Sequence, residues 1–467
     1  MRLLNADTQP RVLLAPIAEP AVHVFSVGGH EIAFDCNSLR LFQIDGESEL
    51  DVVSQSGALQ KPVFLCHCDL RAHSLVLESC HTCNFGCSYC TLQQYESGSA
   101  VMSTDLAKEA IRMLLGGKAH LSQDSRASLG FFGGEPLCNW KLIEEIVPYF
   151  ESLCAPKVPK FHITTNGSLL TPERVEFLRK HNFSLIVSLD GPQEVHDACR
   201  KYKDGTGTYA AVMQGLQYLH DAGLGSKVTL RSTYSHATAD TLLQRVVFLN
   251  QLKQQGYASW VSVEPAFLTE SLCADSVRAE AEGVTEQDIS ALAPLYMQVA
   301  EWFVAAARSG ERPVLHHFTS RLRRLLYCLP YATECGGGVG YVSANGEGKV
   351  FACHRETSSY IGDLSLGGID ESLRAKWIDN RIYLRKGCDK CYLRYVCGGG
   401  CREHSLGVHG DIRKPVEAEC QLQTVLFKCA VWIMTELDLS ILTKLIPPPA
   451  QLRTFRKRRM TTSIPTQ

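Results

Sequence analysis

Between Ser74 and Pro265 the chain repeats one rhythm six times: a short apolar run, then a longer amphipathic one. Ser74–Leu77, Ala127–Phe132 and residues 161–165, 184–189, 227–233 and 259–264 have the composition of strands. Thr104–Leu115, capped by Thr104 and stopped by Gly116-Gly117, reads as a helix, as do residues 140–154, 172–181, 208–222, 239–255 and the stretch beyond 287. Such alternation predicts an α/β fold with a parallel sheet and helices outside. Several strands look too apolar to leave one face in water. Six units are fewer than a closed eight-unit barrel needs, so the expected architecture is a partial, open (β/α)6 barrel. Ligands of parallel α/β sheets sit at the strands' C-terminal ends, and the informative loops are those that follow each strand.

The loop after the first strand reads Cys83-Asn-Phe-Gly-Cys87-Ser-Tyr-Cys90. Three thiolates at this spacing can hold three corners of an iron–sulfur cube and leave the fourth iron free for a small molecule. An ordinary electron-transfer cluster, with Cys80 as fourth ligand, is the alternative. A second series, Cys388-x2-Cys391-x5-Cys397-x3-Cys401, is followed by Cys420 and preceded by Cys328, Cys335 and Cys353. By spacing alone it suits a zinc ribbon equally well. Cys66-His67-Cys68 with Cys80 could share a metal, and the remaining cysteines read as apolar fillers or free thiols. The start, Met1-Arg-Leu-Leu-Asn-Ala-Asp7, has no signal-like apolar run, so a reducing, cytoplasmic setting is expected. There, twenty cysteines point to metal.

A formal net charge of −2 implies no nucleic-acid partner, and no apolar run approaches a membrane span. Residues 1–72 read as a small β-rich unit: Val22–Ser26 and Glu31–Asp35 flank the hairpin signal Gly28-Gly29, and a helical piece is expected around 47–57. Residues 275–327 read as mostly helical. From Cys328 the chain turns cysteine- and glycine-rich with little periodicity, as expected of a region organised by metal. Residues 421–445 read as a closing helix. Beyond Pro447-Pro448-Pro449, the basic run Arg453–Arg459 reads as a solvated tail. The expected domains are 1–72, 73–310, 311–430 and 431–467.

Together these motifs resemble the radical S-adenosylmethionine enzymes with a C-terminal SPASM domain. The resemblance covers about residues 74–430. It rests on the cysteine loop, Gly133-Gly134-Glu135-Pro136, Thr164-Thr-Asn-Gly167, Ser188-Leu-Asp-Gly-Pro192 and the later cysteine series. Phe131–Leu137, Val195-His-Asp197, Ser262-Val-Glu-Pro265 and Cys353-His-Arg355 are similar to peptide maturases. Among these are the thioether-forming six-cysteine-peptide maturases and the maturase of the quinohemoprotein amine dehydrogenase small subunit. The N-terminal β unit is similar in position to their peptide-recognition element.

The resemblance implies that Cys83, Cys87 and Cys90 hold a catalytic [4Fe–4S] cluster whose free iron takes S-adenosylmethionine. Gly133, Gly134 and Glu135 would bind the methionine amino group. Thr165, Asn166, Ser188 and Asp190 would bond ribose or the methionyl carboxylate, with Arg231 as a carboxylate clamp. Cys328, Cys335, Cys353 and Cys401 would hold one auxiliary [4Fe–4S] cluster, and Cys388, Cys391, Cys397 and Cys420 a second. The implied activity is crosslinking of a ribosomally made peptide, through a thioether, with a flavodoxin- or ferredoxin-type reductant. Sulfatase-maturing relatives carry an aspartate as proposed base just after the cysteine matching Cys353. Here His354 stands in that place, as a catalytic base or as an outer partner of a cluster. Formylglycine formation on a protein is the rival reaction, and a zinc-binding interaction protein the rival of another class.

Overall fold

The computed structural model describes residues 11–14, 22–43, 63–66, 72–91, 101–267 (apart from 117 and 125) and 280–449 (apart from 334, 356 and 357). The helix expected around 47–57, His67, Cys68, Cys273 and the basic run 453–459 lie outside these residues. Near the N-terminus, β1 (Arg11–Leu14) pairs antiparallel with β5 (Val63–Cys66). Between them, β2 (Val22–Val27), β3 (His30–Asp35) and β4 (Arg40–Gln43) form an antiparallel sheet. Gly28 and Gly29 both have positive φ (57° and 82°), which the tight turn from β2 to β3 requires. β4 was not anticipated. It follows a turn in which the Asp35 carboxylate accepts the Asn37 and Ser38 N–H groups.

Six parallel strands then stand side by side in chain order: β6 (Ser74–Cys80), β7 (Ser128–Gly133), β8 (Lys160–Thr165), β9 (Phe183–Ser188), β10 (Val228–Tyr234) and β11 (Trp260–Pro265). The connecting helices include α1 (Thr104–Leu115), α2 (Trp140–Cys154), α3 (Pro172–Lys180), α4 (Gln193–Cys199), α5 (Tyr209–Asp221) and α6 (Leu242–Gln254). The cap of α1 is Ser103, one residue before the expected Thr104; its hydroxyl accepts the Leu106 N–H. Residues 236–241 form a 3-10 turn that delays α6.

The strands are less apolar in function than they read. Phe161, Ile163, Leu230 and Ser232 are buried, whereas His162, Thr164, Thr229, Arg231 and Thr233 on the opposite face are half-buried. That face lines a partly open lumen, so each strand buries one side and leaves the other accessible.

The sheet does not stop at six strands. β12 (Tyr341–Ala344) pairs parallel with the free edge of β6, and β13 (Lys349–Phe351), β14 (Tyr360–Asp363) and β15 (Gly368–Ile369) continue it antiparallel to ten strands. The region after Cys328 showed little periodicity in the sequence; these strands are two to four residues long, too short for an alternation to show. α7 (Glu286–Arg308) opens on a capping box between Thr285 and Asp288. By length and composition it could cross a membrane, contrary to the sequence expectation. Its Ile289, Leu292, Tyr296, Val299 and Phe303 are nevertheless buried in the core, where it packs against α6 and the late helix Glu417–Glu436. α8 (His316–Leu326) lies against the same late helix.

Candidate active site

The cysteine loop leaves the C-terminal end of β6 and docks on the segment that follows α4. The Gly86 N–H donates to the Lys201 carbonyl (2.8 Å) and the Ser88 N–H to the Cys199 carbonyl (3.0 Å). The Phe85 ring meets Tyr202 edge-on at 5.2 Å. Beneath the loop lies Asp190, fully buried. Its carboxylate pairs with Arg200 (3.1 Å), accepts the Thr233 N–H (2.9 Å) and takes the Tyr89 hydroxyl. Burial alone would raise the Asp190 pKa, but the Arg200 and Arg245 guanidinium groups hold it below the usual carboxylate range. Asp190 therefore sits under the cysteine loop and does not line the cleft above it. Arg200, which no motif singled out, also reaches 3.9 Å from the Cys87 sulfur; its only sequence signal was its place just after Cys199.

The Gly133-Gly134-Glu135 segment runs against the start of the same loop. Gly134 and Glu135 donate their N–H groups to the carbonyls of Cys80 (2.8 Å) and Thr82 (2.9 Å). A Cβ on Gly134 would stand 2.5 Å from the carbonyl oxygens of His81 and Thr82; one on Gly133, at φ +129°, would stand 2.3 Å from that of Cys80. The close approach that needs these glycines is thus already made by the chain itself. Glu135 is 1% exposed. It accepts the Leu137 N–H (3.1 Å), the Thr165 hydroxyl (2.7 Å) and the Asn166 N–H (2.7 Å), and ties the end of β7 to the end of β8. Burial pushes its pKa up to about 7 against these bonds. Asn166 donates in turn to Asn84 of the cysteine loop (2.9 Å).

Cys83, Cys87, Cys90, Gly133, Gly134, Glu135, Thr165, Asn166, Ser188, Arg231 and His354 all line one cleft, with a volume of about 210 Å³. Of the expected cosubstrate contacts, only Asp190 lies outside it. The cleft also brings in Glu264, whose carboxylate bonds His317 (2.8 Å). Burial would raise the Glu264 pKa, but His317 and Arg231 hold it well below the usual range. His354 packs edge-on against Phe132 at 4.5 Å, and its Nδ1 has no hydrogen-bond partner. Burial, then Arg231 and Arg355, lowers its pKa to about 3, so the ring is neutral.

The later cysteines fall into two groups. Cys388, Cys391, Cys397 and Cys420 line one cavity. Cys335, Cys353 and Cys401 lie within electrostatic reach of one another, with the Tyr341 hydroxyl bonded to the thiols of Cys335 and Cys353. Cys328 is not brought to this trio. It sits exposed in a turn at φ +50° after α8, where Arg40 bonds its thiol beside Asp35 of the N-terminal sheet.

The donor sets fit iron–sulfur clusters. Burial pushes the Cys83 thiol up, and the Cys87 thiol to about 12 even beside Arg200, so these sulfurs ionise readily only against a bound cation. Among the described residues no three Cys, His, Asp or Glu side chains close round a point small enough for one ion, as a zinc site requires. Soft thiols in groups of three and four suit iron–sulfur clusters.

Residues 77–240 match the Radical SAM superfamily. The radical SAM cyclopropyl synthase TigE of Paramaledivibacter caminithermalis is 23% identical over 377 residues, 77% of this chain and 73% of that protein. A serine-type anaerobic sulfatase-maturating enzyme of Klebsiella aerogenes is 23% identical over 346 residues, 71% of this chain and 79% of that one. The solved structure of native anSMEcpe with bound AdoMet and Kp18Cys peptide matches with a TM-score of 0.63 and 16% identity, covering 78% of this chain and 98% of that chain. Residues 77–240 thus form a radical SAM domain, and the chain is an enzyme that works with a [4Fe–4S] cluster and S-adenosylmethionine.

Proposed function

We propose that this enzyme oxidatively crosslinks residues of a ribosomally made peptide, closing a thioether from a donor cysteine to an unactivated carbon. The observation that carries the reading is the presence of two further cysteine groups, one next to His354 and Arg355 of the cleft wall and the other round a cavity of its own. Forming a C–S bond with loss of two hydrogens is a two-electron oxidation: one electron leaves the carbon with its hydrogen atom, the thiol loses a proton, and the second electron needs an acceptor. The relatives named for cyclopropane synthesis and sulfatase maturation, and the peptide-bound neighbour, support a peptide or protein substrate. When bound, the loop cluster with S-adenosylmethionine supplies a 5′-deoxyadenosyl radical that takes hydrogen from carbon, and the auxiliary clusters supply the sink.

Cys83, Cys87 and Cys90 would hold the first cluster. Cys335, Cys353 and Cys401 would hold one auxiliary cluster, and Cys388, Cys391, Cys397 and Cys420 the other. Asn166, anchored on Asn84, and Glu135, anchored on β8, keep the cosubstrate wall rigid. Phe132 and Phe267 give the cleft an apolar wall. The Nδ1 of neutral His354 would accept a hydrogen bond from the substrate; with a pKa lowered to about 3 the ring is too weak a base to take a thiol proton. Residues 1–72 would recognise the peptide, 73–310 would form the radical unit, and 311–430 the auxiliary unit, with 431–467 closing the chain. A flavodoxin- or ferredoxin-type protein would deliver the electron.

The test is incubation of the reconstituted, reduced enzyme with a short cysteine-bearing peptide encoded beside its gene. The product should be lighter by two hydrogens per bond. An unchanged mass with only 5′-deoxyadenosine formed rejects the reading. The sulfatase-maturating relative favours formylglycine as the second reading, and tandem fragmentation separates an aldehyde from a crosslink. Three clusters predict about twelve irons per chain, falling to about eight when Cys83, Cys87 and Cys90 are replaced by alanine.

A further inference from the structure

The lumen holds a second chamber beneath the cleft, with a volume of about 620 Å³. Ser74, Ser128 and Lys160, the first residues of β6, β7 and β8, line it, so it reaches the end of the sheet opposite the cysteine loop. Phe132, Thr164, Arg231 and His354 line both cleft and chamber and form the waist between them. Gly130 makes part of the room: a Cβ there would stand 2.1 Å from Nε2 of His162, whose ring lies in the chamber.

The chamber is charged with one sign. Arg126, Lys160 and Arg231 line it, and no aspartate or glutamate does. Arg126 pairs with Asp124 at 3.2 Å, just outside the lining. Lys160 is exposed at the rim with no ion pair among the described residues. Arg231 is half-buried at the waist, and no described residue hydrogen-bonds its guanidinium. Two such cations in a low-dielectric passage attract an anion more strongly than they would on an open surface. Glu264 acts on Arg231 electrostatically, but with no hydrogen bond to a described residue the guanidinium keeps its donors free for a carboxylate that arrives with the ligand.

We propose that this chamber is the entrance for the substrate and selects a peptide segment bearing carboxylates, with Lys160 receiving it at the rim and Arg231 at the waist. The proposal rests on the peptide-modifying reading above and adds the chemistry of the peptide. The test is fluorescence anisotropy of a labelled Gly-Glu-Glu-Gly-Glu-Glu-Gly peptide and its glutamine counterpart on cluster-loaded, full-length enzyme, at low salt of about 50 mM. The glutamate peptide should bind at least tenfold more tightly than its counterpart. Lys160→Glu should raise its Kd at least tenfold with an unchanged melting temperature, and Lys160→Arg should keep it within twofold. Glutarate should compete only at far higher concentration than unlabelled peptide.

Equal binding of the two peptides overturns the proposal. So does a Kd unmoved by Lys160→Glu, which places the probe on another basic stretch of the chain, such as Arg453–Arg459. Displacement by glutarate at the peptide's own concentration also overturns it, since the chamber then takes a free small anion. Anisotropy needs no turnover, so these outcomes are read even if no peptide is ever crosslinked.

Discussion

Both carboxylate oxygens of Glu135 are bonded to the chain itself, which gives this residue a second duty beside any cosubstrate. Glu135→Ala leaves two buried N–H groups and a hydroxyl without their acceptor, at a cost of about 1–3 kcal/mol each. Urea unfolding should show a loss of about 3 kcal/mol; unaltered stability would mean that Glu135 serves only the ligand. His196 supplies a pH test away from the cysteines. It is fully buried, accepts the Asp190 N–H at Nδ1 (3.2 Å) and bonds the Thr208 hydroxyl through Nε2 (3.0 Å). Burial, then Arg200, lowers its pKa to about 4. A group whose folded pKa lies below its unfolded one loses stability as pH falls. The loss begins near the unfolded value of about 6.5 and levels off below about 4. Between pH 7.5 and 5.5 it amounts to about 1.4 kcal/mol, and His196→Gln should remove that part of the slope in urea titrations at the two pH values.

At the scale of elements, the decisive contact is the end of β7 against the start of the cysteine loop. Gly134→Ala puts a methyl group 2.5 Å from two backbone carbonyls that belong to neither a flexible side chain nor a free end. The two segments must part, so iron content after reconstitution should fall by about a third, with the second auxiliary group still loaded. Full loading of the variant would show that the loop does not need this contact. The six strands of the barrel were legible because each is six or seven residues long and alternates with a longer helical stretch. β12 to β15 were not legible, because Tyr341–Ala344 and its neighbours become strands only by pairing with β6. The cysteines of the cleft were legible from spacing, but Arg200 and Asp190 acquire their places from folding. Nothing in the spacing of Cys328 tells that it faces Arg40 and not Cys335.

For the whole molecule, the ladder between β6 and β12 joins regions that the sequence divides at residue 310. A chain cut after that point leaves β6 an unpaired edge beside the cysteine loop. Residues 1–310 expressed alone should be recovered mainly as aggregate by size-exclusion chromatography, while the full chain elutes as one species; a soluble, folded 1–310 would show that the ladder is dispensable. Because the strand that launches Cys83 also carries β12, and Cys353 follows β13 of the same sheet, the span between the first cysteine group and that of Cys353 is set by a shared plank of backbone. Tunnelling rates decay steeply with separation, and here that separation cannot drift with the slow breathing of two loosely tethered lobes. The tenth strand is as rigidly surveyed from the first as a mark on a ruler.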